Sequence, residues 1–195
     1  MSKRKEQGLT TRQHIIEVAR DLFAAHGYEN TSIGMVLSAS GISRGALYHH
    51  FEGKQALFDV VLDQVESELA ANILASAERS RDPVASLRAG CVQFLRFAQD
   101  PVVRQIVLID APNAVGWQRW REIDARHGFG LMKFSLAAAA GSGKVDRDLA
   151  EVYAHAILAS VMELALLVAR SDDPDTELAH AERAIEVMID GIRQQ

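Results

Sequence analysis

The sequence predicts an all-α protein of about nine helices, with an N-terminal three-helix unit over residues 1–53 and a larger helical part over 54–195. Three observations predict it. Ala, Leu, Glu and Arg are abundant, and the 195 residues include only four prolines, a composition that favours helices. Between breakers, apolar residues recur at spacings of three and four, the period of a helix with one buried face. Finally, Thr31 to Lys54 holds two short helical patterns joined by Ser40-Gly41-Ile42-Ser43, the arrangement of a helix-turn-helix.

Residues 1–9 read as a polar, mobile arm. Thr10 and Gln13 fit a capping box for the first helix, whose stripe is Ile15, Ile16, Ala19, Leu22 and Phe23 and whose stop is Gly27. Thr31 or Ser32 caps the second helix, with Ile33, Val36 and Leu37 inward. Gly41 closes it by taking a left-handed backbone conformation at low cost. Ser43 caps the third helix, which runs to about Phe51 with Leu47 and Phe51 on the packed side. A longer fourth helix follows from Lys54 to about Arg79, carrying Leu57, Val60, Val61, Val65 and Leu69 and ended by Asp82-Pro83. A fifth spans Val84 to Gln99 and a sixth Val102 to Ile109, stopped at Asp110-Ala111-Pro112-Asn113. From Val115 a stripe of Trp117, Trp120, Asp124, His127, Leu131 and Phe134 suggests one helix that Gly128 and Gly130 bend or break. Two more helices run from about Asp148 to Arg170, apolar almost all round, and from Asp175 to Arg193, with a seam at Leu178, Ala181, Ile185, Met188 and Ile192. Such a terminal pair has more apolar surface than one small body buries, which predicts a two-fold dimer through these last two helices.

The third helix carries the functional signal. Arg44, Gly45, Tyr48 and His49 lie away from its packed side, as on a helix shaped to enter the DNA major groove. The run Gly41-Ile42-Ser43, Gly45, Leu47-Tyr48, His50-Phe51, Lys54 and Leu57, with Thr31 ten residues before its first glycine, resembles the DNA-binding domain of TetR/AcrR-type transcriptional regulators. The resemblance covers about the first quarter of the chain. It implies a ligand-responsive repressor that binds a palindromic operator as a dimer, blocks transcription, and is released by a small-molecule effector held in the C-terminal domain. It also assigns Tyr48 and His49 to base and phosphate contact. Arg44 is the expected direct base reader, since its fork matches guanine. Gly45 and Ala46 let the backbone approach the groove floor, and Thr31, Ser43, His50 and Lys54 are the expected phosphate clamps. Gly34, Met35, Leu37 and Ser40 depart from the family pattern. Gly34 stands where relatives often carry a charged DNA contact, and a mid-helix glycine costs about 1 kcal/mol relative to alanine.

Charge is consistent with this reading. The net charge is −5, but residues up to Gln55 hold seven basic and five acidic side chains, and the remainder fourteen and twenty-one. A mildly basic end suits phosphates, and an acidic body is kept away from them. The single Cys91 sits among apolar neighbours and reads as core. The N-terminus lacks the apolar stretch of a signal peptide, and the run Val161 to Ala169, interrupted by Glu163, is short for a bilayer span. Together these predict a cytoplasmic protein.

The remaining candidates are weaker. Trp117, Trp120, Asp124, His127 and Phe134, with Phe94, His155, Met162 and Glu163, form the expected effector pocket. The same stripe also reads as core with Asp124 and His127 paired or at its rim, and the sequence leaves both open. His49-His50 is no metal pair, because helical neighbours point about 100° apart. Gly143-Lys144 is no phosphate loop, because Ala138 and Val145 occupy the positions that need Gly and Ser or Thr. No catalytic order of side chains is present, and no cofactor or metal is expected. A second reading, a helical enzyme or ligand carrier centred on Asp124 and His127 with an ancillary helix-turn-helix, stays beside the first. A milder variant keeps DNA binding and replaces the effector with a protein partner or the chain's own abundance.

Overall fold

The computed structural model describes residues 3–77 and 81–194. Among the described residues the chain forms ten α-helices and one π-helical segment, with no strand. It divides into two compact units: Met1–Val65 with Pro101–Trp120, and Glu66–Asp100 with Arg121–Gln195. The boundary expected at 53/54 falls within the first of these units, which also takes in the later segment 101–120.

In the first unit, α1 (Lys3–Asn30) buries Ile15, Ile16, Ala19 and Phe23 completely. It begins seven residues before the expected Thr10 cap, so the arm over residues 1–9 is helical from Lys3 and Thr10 lies inside the helix. A packed helix extends at little cost, since each added residue gains a hydrogen bond without a new nucleus. Gly27 breaks α1 with φ 77° and ψ 166°. α2 (Ile33–Ser40) is capped by Ser32, whose Oγ accepts the Met35 N–H at 3.2 Å, and closed by Gly41 at φ 68°. α3 (Arg44–His50) is capped by Ser43, whose Oγ accepts the Ala46 N–H at 3.3 Å, and ends as Phe51 turns extended. α4 (Lys54–Ala77) passes from the first unit to the second after Val65; its expected end at Arg79 lies outside the described residues.

The expected stop at Asp110–Asn113 does not occur. Helical backbone continues through a π-helical segment, Val103–Asp110, into α6 (Ala111–Ala114). Pro112 falls in the first turn of α6, where a missing N–H costs nothing. Gly116, at φ 80°, then turns the chain into α7 (Trp117–Arg126).

The stripe from Trp117 to Phe134 is not one helix. His127 (φ −118°, ψ −103°) separates α7 from α8 (Gly128–Gly141). A Cβ on Gly130 would lie 2.7 Å from the Ala125 carbonyl oxygen, so this joint admits only glycine. The break removes the common face: Trp120 and Asp124 are buried, but Trp117 is 67% and Phe134 74% exposed.

The second unit packs α5 (Pro83–Phe97), α8, α9 (Ala150–Arg170) and α10 (Pro174–Gly191) around Leu87, Leu95, Leu136, Val161, Ala165, Ile185 and Ile189. The seam of α10 uses Ala181, Ile185 and Ile189, and Met188 is exposed instead. α9 has 21 residues and is, by length and composition, long and apolar enough to cross a membrane, beyond the short run expected. In this chain its buried face belongs to the core of the second unit. Arg96 pairs with Glu182 at 2.7 Å and Arg88 with Asp190 at 3.4 Å, joining α5 to α10. Asp82 holds Arg193 at 2.6 Å and Lys144 at 3.2 Å, which places Lys144 in a structural clamp. Partial desolvation raises the Asp82 carboxyl, but the Lys144 hydrogen bond, the Val84 N–H and both cations outweigh it and hold the group at about 2. Cys91 is buried, and burial pushes its thiol up to about 12.

Candidate nucleic-acid interface

The first unit is built so that one side of α3 is packed and the other is open. Leu47 is fully buried and Phe51 is 4% exposed, and Arg44, Gly45, Tyr48 and His49 are exposed. A Cβ on Gly45 would meet nothing within 4 Å, so this position is bare because of what approaches it or because nothing filled it, not because the fold forbids a side chain. Tyr48 holds its ring at 46% exposure, an amphipathic group in water. His49 and His50 lie edge to face at 5.1 Å between ring centroids. Desolvation, then the neighbouring charges of His49 and Arg12, hold His50 below the usual histidine range. Arg12, from α1, also stacks over Phe51 at 5.3 Å; nothing in the helix-turn-helix motif marked it.

The posture of α2 and α3 is set from the end of α1. His14 meets the Ser40 carbonyl at 3.2 Å. Thr31, 1% exposed, donates its hydroxyl to the Gly27 carbonyl at 2.8 Å and the Leu22 carbonyl at 3.2 Å. Its hydroxyl is thus spent on closing α1, which corrects the expected phosphate clamp. Lys54 donates to the Tyr28 carbonyl at 2.8 Å and lies 4.1 Å over the Tyr28 ring. In this structure that ammonium also serves the α1 end. Ser43 accepts its cap bond through oxygen and keeps its own O–H to give.

Residues 15–61 match the profile of the bacterial regulatory proteins of the tetR family. Residues 84–192, more than half of the chain, match that of the tetracyclin repressor-like C-terminal domain. The chain belongs to the TetR family. The HTH-type transcriptional regulator AcrR of Shigella flexneri is 39% identical over 87 residues, 44% of this chain and 40% of its own length. A probable acrEF/envCD operon repressor of Escherichia coli K12 is 38% identical over 100 residues, 50% of this chain and 45% of its own. The chain thus spans less than half the length of these two curated relatives. A crystal structure of a TetR-family transcriptional regulator from Pectobacterium atrosepticum superposes with a TM-score of 0.81 at 26% identity, over all of this chain and 99% of that one.

The residues expected to line an effector pocket fall in both units. In the first unit the Trp117 and Trp120 rings sit 4.9 Å apart, the first exposed and the second buried. In the second unit Arg121 gathers three groups that the sequence did not connect. Its guanidinium donates to Asp124 at 3.3 Å and meets His155 Nδ1 at 3.4 Å. It also lies 4.9 Å over the ring of Phe129, itself 4.8 Å from His155. The i, i+3 spacing of Arg121 and Asp124 was the one readable hint. Asp124 is buried, and burial raises its carboxyl; Arg121, the Phe129 N–H and His127 oppose that only in part. Because it accepts the Phe129 N–H, Asp124 caps the start of α8 across the break. Phe134, His155 and Glu163 are exposed, while Phe94, His127 and Met162 are half-buried. A cavity of about 460 Å³ opens in the first unit, lined by Gly53, Gln55, Ala56, Val115 and the Arg119–Asp59 ion pair among others, and it holds none of the expected effector residues. Among the described residues no group of acidic, histidine and cysteine side chains is placed to hold a metal ion.

Proposed function

We propose that this chain is a cytoplasmic, DNA-binding transcriptional repressor that acts as a homodimer on a palindromic operator and is released by a small-molecule effector. The observation that carries the reading is the two-sided α3, packed through Leu47 and Phe51 and open at Arg44, Gly45, Tyr48 and His49. Arg44 reads a base edge as a bidentate donor, and Gly45 and Ala46 admit the backbone to the groove. Ser43 and His50 give hydrogen bonds to phosphate. Thr31 is omitted from the clamps because its hydroxyl is buried, and Lys54 contributes charge from the start of α4 rather than a free ammonium. With so few base readers, half-site spacing and DNA shape carry part of the specificity.

The test is selection of a binding site from random DNA, followed by titration of wild type and Arg44→Ala. The variant is expected to lose about 1–3 kcal/mol on the selected site and much less on random DNA. Equal losses on both would reduce Arg44 to a phosphate contact.

Dimerisation is supported by apolar side chains left open on the last two helices. Val152, Ala156, Ala159, Glu163 and Leu167 fall on one exposed stripe of α9, with Val152 61% and Leu167 50% exposed. Val187 and Met188 are 68% and 42% exposed on α10. Burying such side chains is worth roughly 1.5–3 kcal/mol each. Leu167→Glu combined with Val187→Glu is expected to shift the sedimenting mass from two chains to one and to weaken operator binding with it. A dimer that survives both substitutions would place the interface elsewhere.

The enzyme reading is less well supported. Its proposed centre, Asp124, is engaged by Arg121 and by the start of α8, and the relatives are regulators.

A further inference from the structure

One contact in the first unit joins parts of the sequence that lie far apart. α1 breaks at Gly27, and a broken helix leaves an N–H without its intrahelical acceptor. The N–H concerned, on Tyr28, donates to the Asp110 carboxylate at 2.7 Å, from 82 residues away. Gly27 is buried, and a Cβ there would lie 3.1 Å from the Gln105 amide nitrogen and 3.6 Å from Asp110. Gln105 and Asp110 both belong to the π-helical segment Val103–Asp110, and Asp110 is its last residue. The neighbouring polar groups of the break are engaged too: Lys54 and the Thr31 N–H take the Tyr28 carbonyl, and the Thr31 hydroxyl takes the Gly27 carbonyl. The Tyr28 ring is wedged against Phe23 and Phe58. The link between α1 and α2, and with it the aim of α3, is therefore fixed around Tyr28.

We propose that Asp110 is a positioning residue for DNA binding: by accepting the Tyr28 N–H it lets the segment 101–120 hold the helix-turn-helix in its binding posture. This rests on the reading of the chain as a DNA-binding regulator. The segment leaves the second unit after Asp100 and rejoins it at Arg121, so it is a second covalent route to the DNA-binding end besides α4. Its π-helical winding makes the route adjustable. π-turns carry one residue more than an α-helix needs and recur where helices serve a function. An α-helix turns about 100° per residue, so tightening by one residue swings Asp110 through about that angle and withdraws the carboxylate from Tyr28. The head then keeps its fold but loses its fixed posture, and apparent affinity falls by the fraction of heads no longer competent.

The test uses the full chain and three readings: exchange of the Tyr28 amide proton by NMR, affinity for a DNA fragment selected by the wild type, and the salt dependence of that affinity. Asp110→Ala is expected to speed Tyr28 exchange and to weaken binding about tenfold, the scale of a lost charge-assisted hydrogen bond. The salt slope stays unchanged, because the phosphate contacts keep their number. Asp110→Asn, which keeps an oxygen acceptor, is expected to restore most of both. If alanine does not fold, Asp110→Ser, too short to reach Tyr28, is read in the same way. A Tyr28 amide as protected in the alanine or serine variant as in wild type overturns the proposal, as does asparagine behaving like alanine. If the wild-type protein selects no DNA, the regulator reading fails by itself, and faster Tyr28 exchange would keep Asp110 as the anchor of the break but not as a residue of DNA binding.

Discussion

Gly45→Glu is expected to remove operator binding and to leave the chain at least as stable as before. Gly45 is the second residue of α3, exposed, with nothing within 4 Å of the point where a Cβ would stand. A non-glycine residue in a helix recovers up to about 1 kcal/mol of backbone entropy, and a carboxylate in the first turn adds a favourable interaction with the helix dipole. The same carboxylate faces a polyanion at the groove, where like-charge contact costs several kcal/mol. We expect binding to fall by roughly 100-fold or more with an unchanged or higher melting temperature. Fluorescence anisotropy on the selected site and a thermal scan read the two quantities separately. Retained binding would mean that α3 does not enter the groove through Gly45, and lost stability would mean that the open face is not open.

Leu95→Ala has the largest expected effect on the second unit. Leu95 is fully buried on α5, the helix that packs against α8, α9 and α10. Truncation of such a leucine costs about 2–5 kcal/mol, the spread depending on how far the cavity collapses. That is a large part of the roughly 5–15 kcal/mol of a typical domain. Phe134→Ala, at a side chain 74% exposed, is the matched control and is expected to change stability by less than about 0.5 kcal/mol. Urea unfolding of both variants decides the matter; similar losses would mean that Phe134 is covered in solution, as a single packed stripe from Trp117 would require.

Local rules made much of the fold legible. The cap at Ser32, one of the two residues offered, the cap at Ser43, the left-handed closure at Gly41, a break at Gly27 and the buried faces of α1 and α3 each depend on a few neighbouring residues. What failed depended in part on partners far away in the chain and in part on backbone detail that residue spacing does not carry. The three-four spacing from Trp117 to Phe134 carries one face across Gly128 and Gly130, which the sequence marked as a bend or break, and the break at His127 ends that common face. Asp110-Ala111-Pro112 looked like a terminator because proline usually is one, yet in a first turn it is harmless. Thr31 and Lys54 carry donors suited to phosphate, and only the fold shows that the carbonyls of a broken α1 claim them first. Arg121 stayed invisible because a lone arginine on a helix is ordinarily solvent-facing.

The chemistry of Cys91 has a practical consequence for testing the proposed dimer. It is the chain's one thiol, it is buried, and at neutral pH it is held firmly protonated. Thiol reagents act on the thiolate, so the native protein is expected to react slowly with them without any substitution. A cysteine introduced at the exposed Ala25 of α1, outside the proposed DNA contacts, would be the reactive handle on each subunit of the proposed dimer, ready for a spin label or a dye pair. In the proposed dimer, the distance between two such labels, read with and without operator and across a set of metabolites, would let the proposed effector be searched for by ruler.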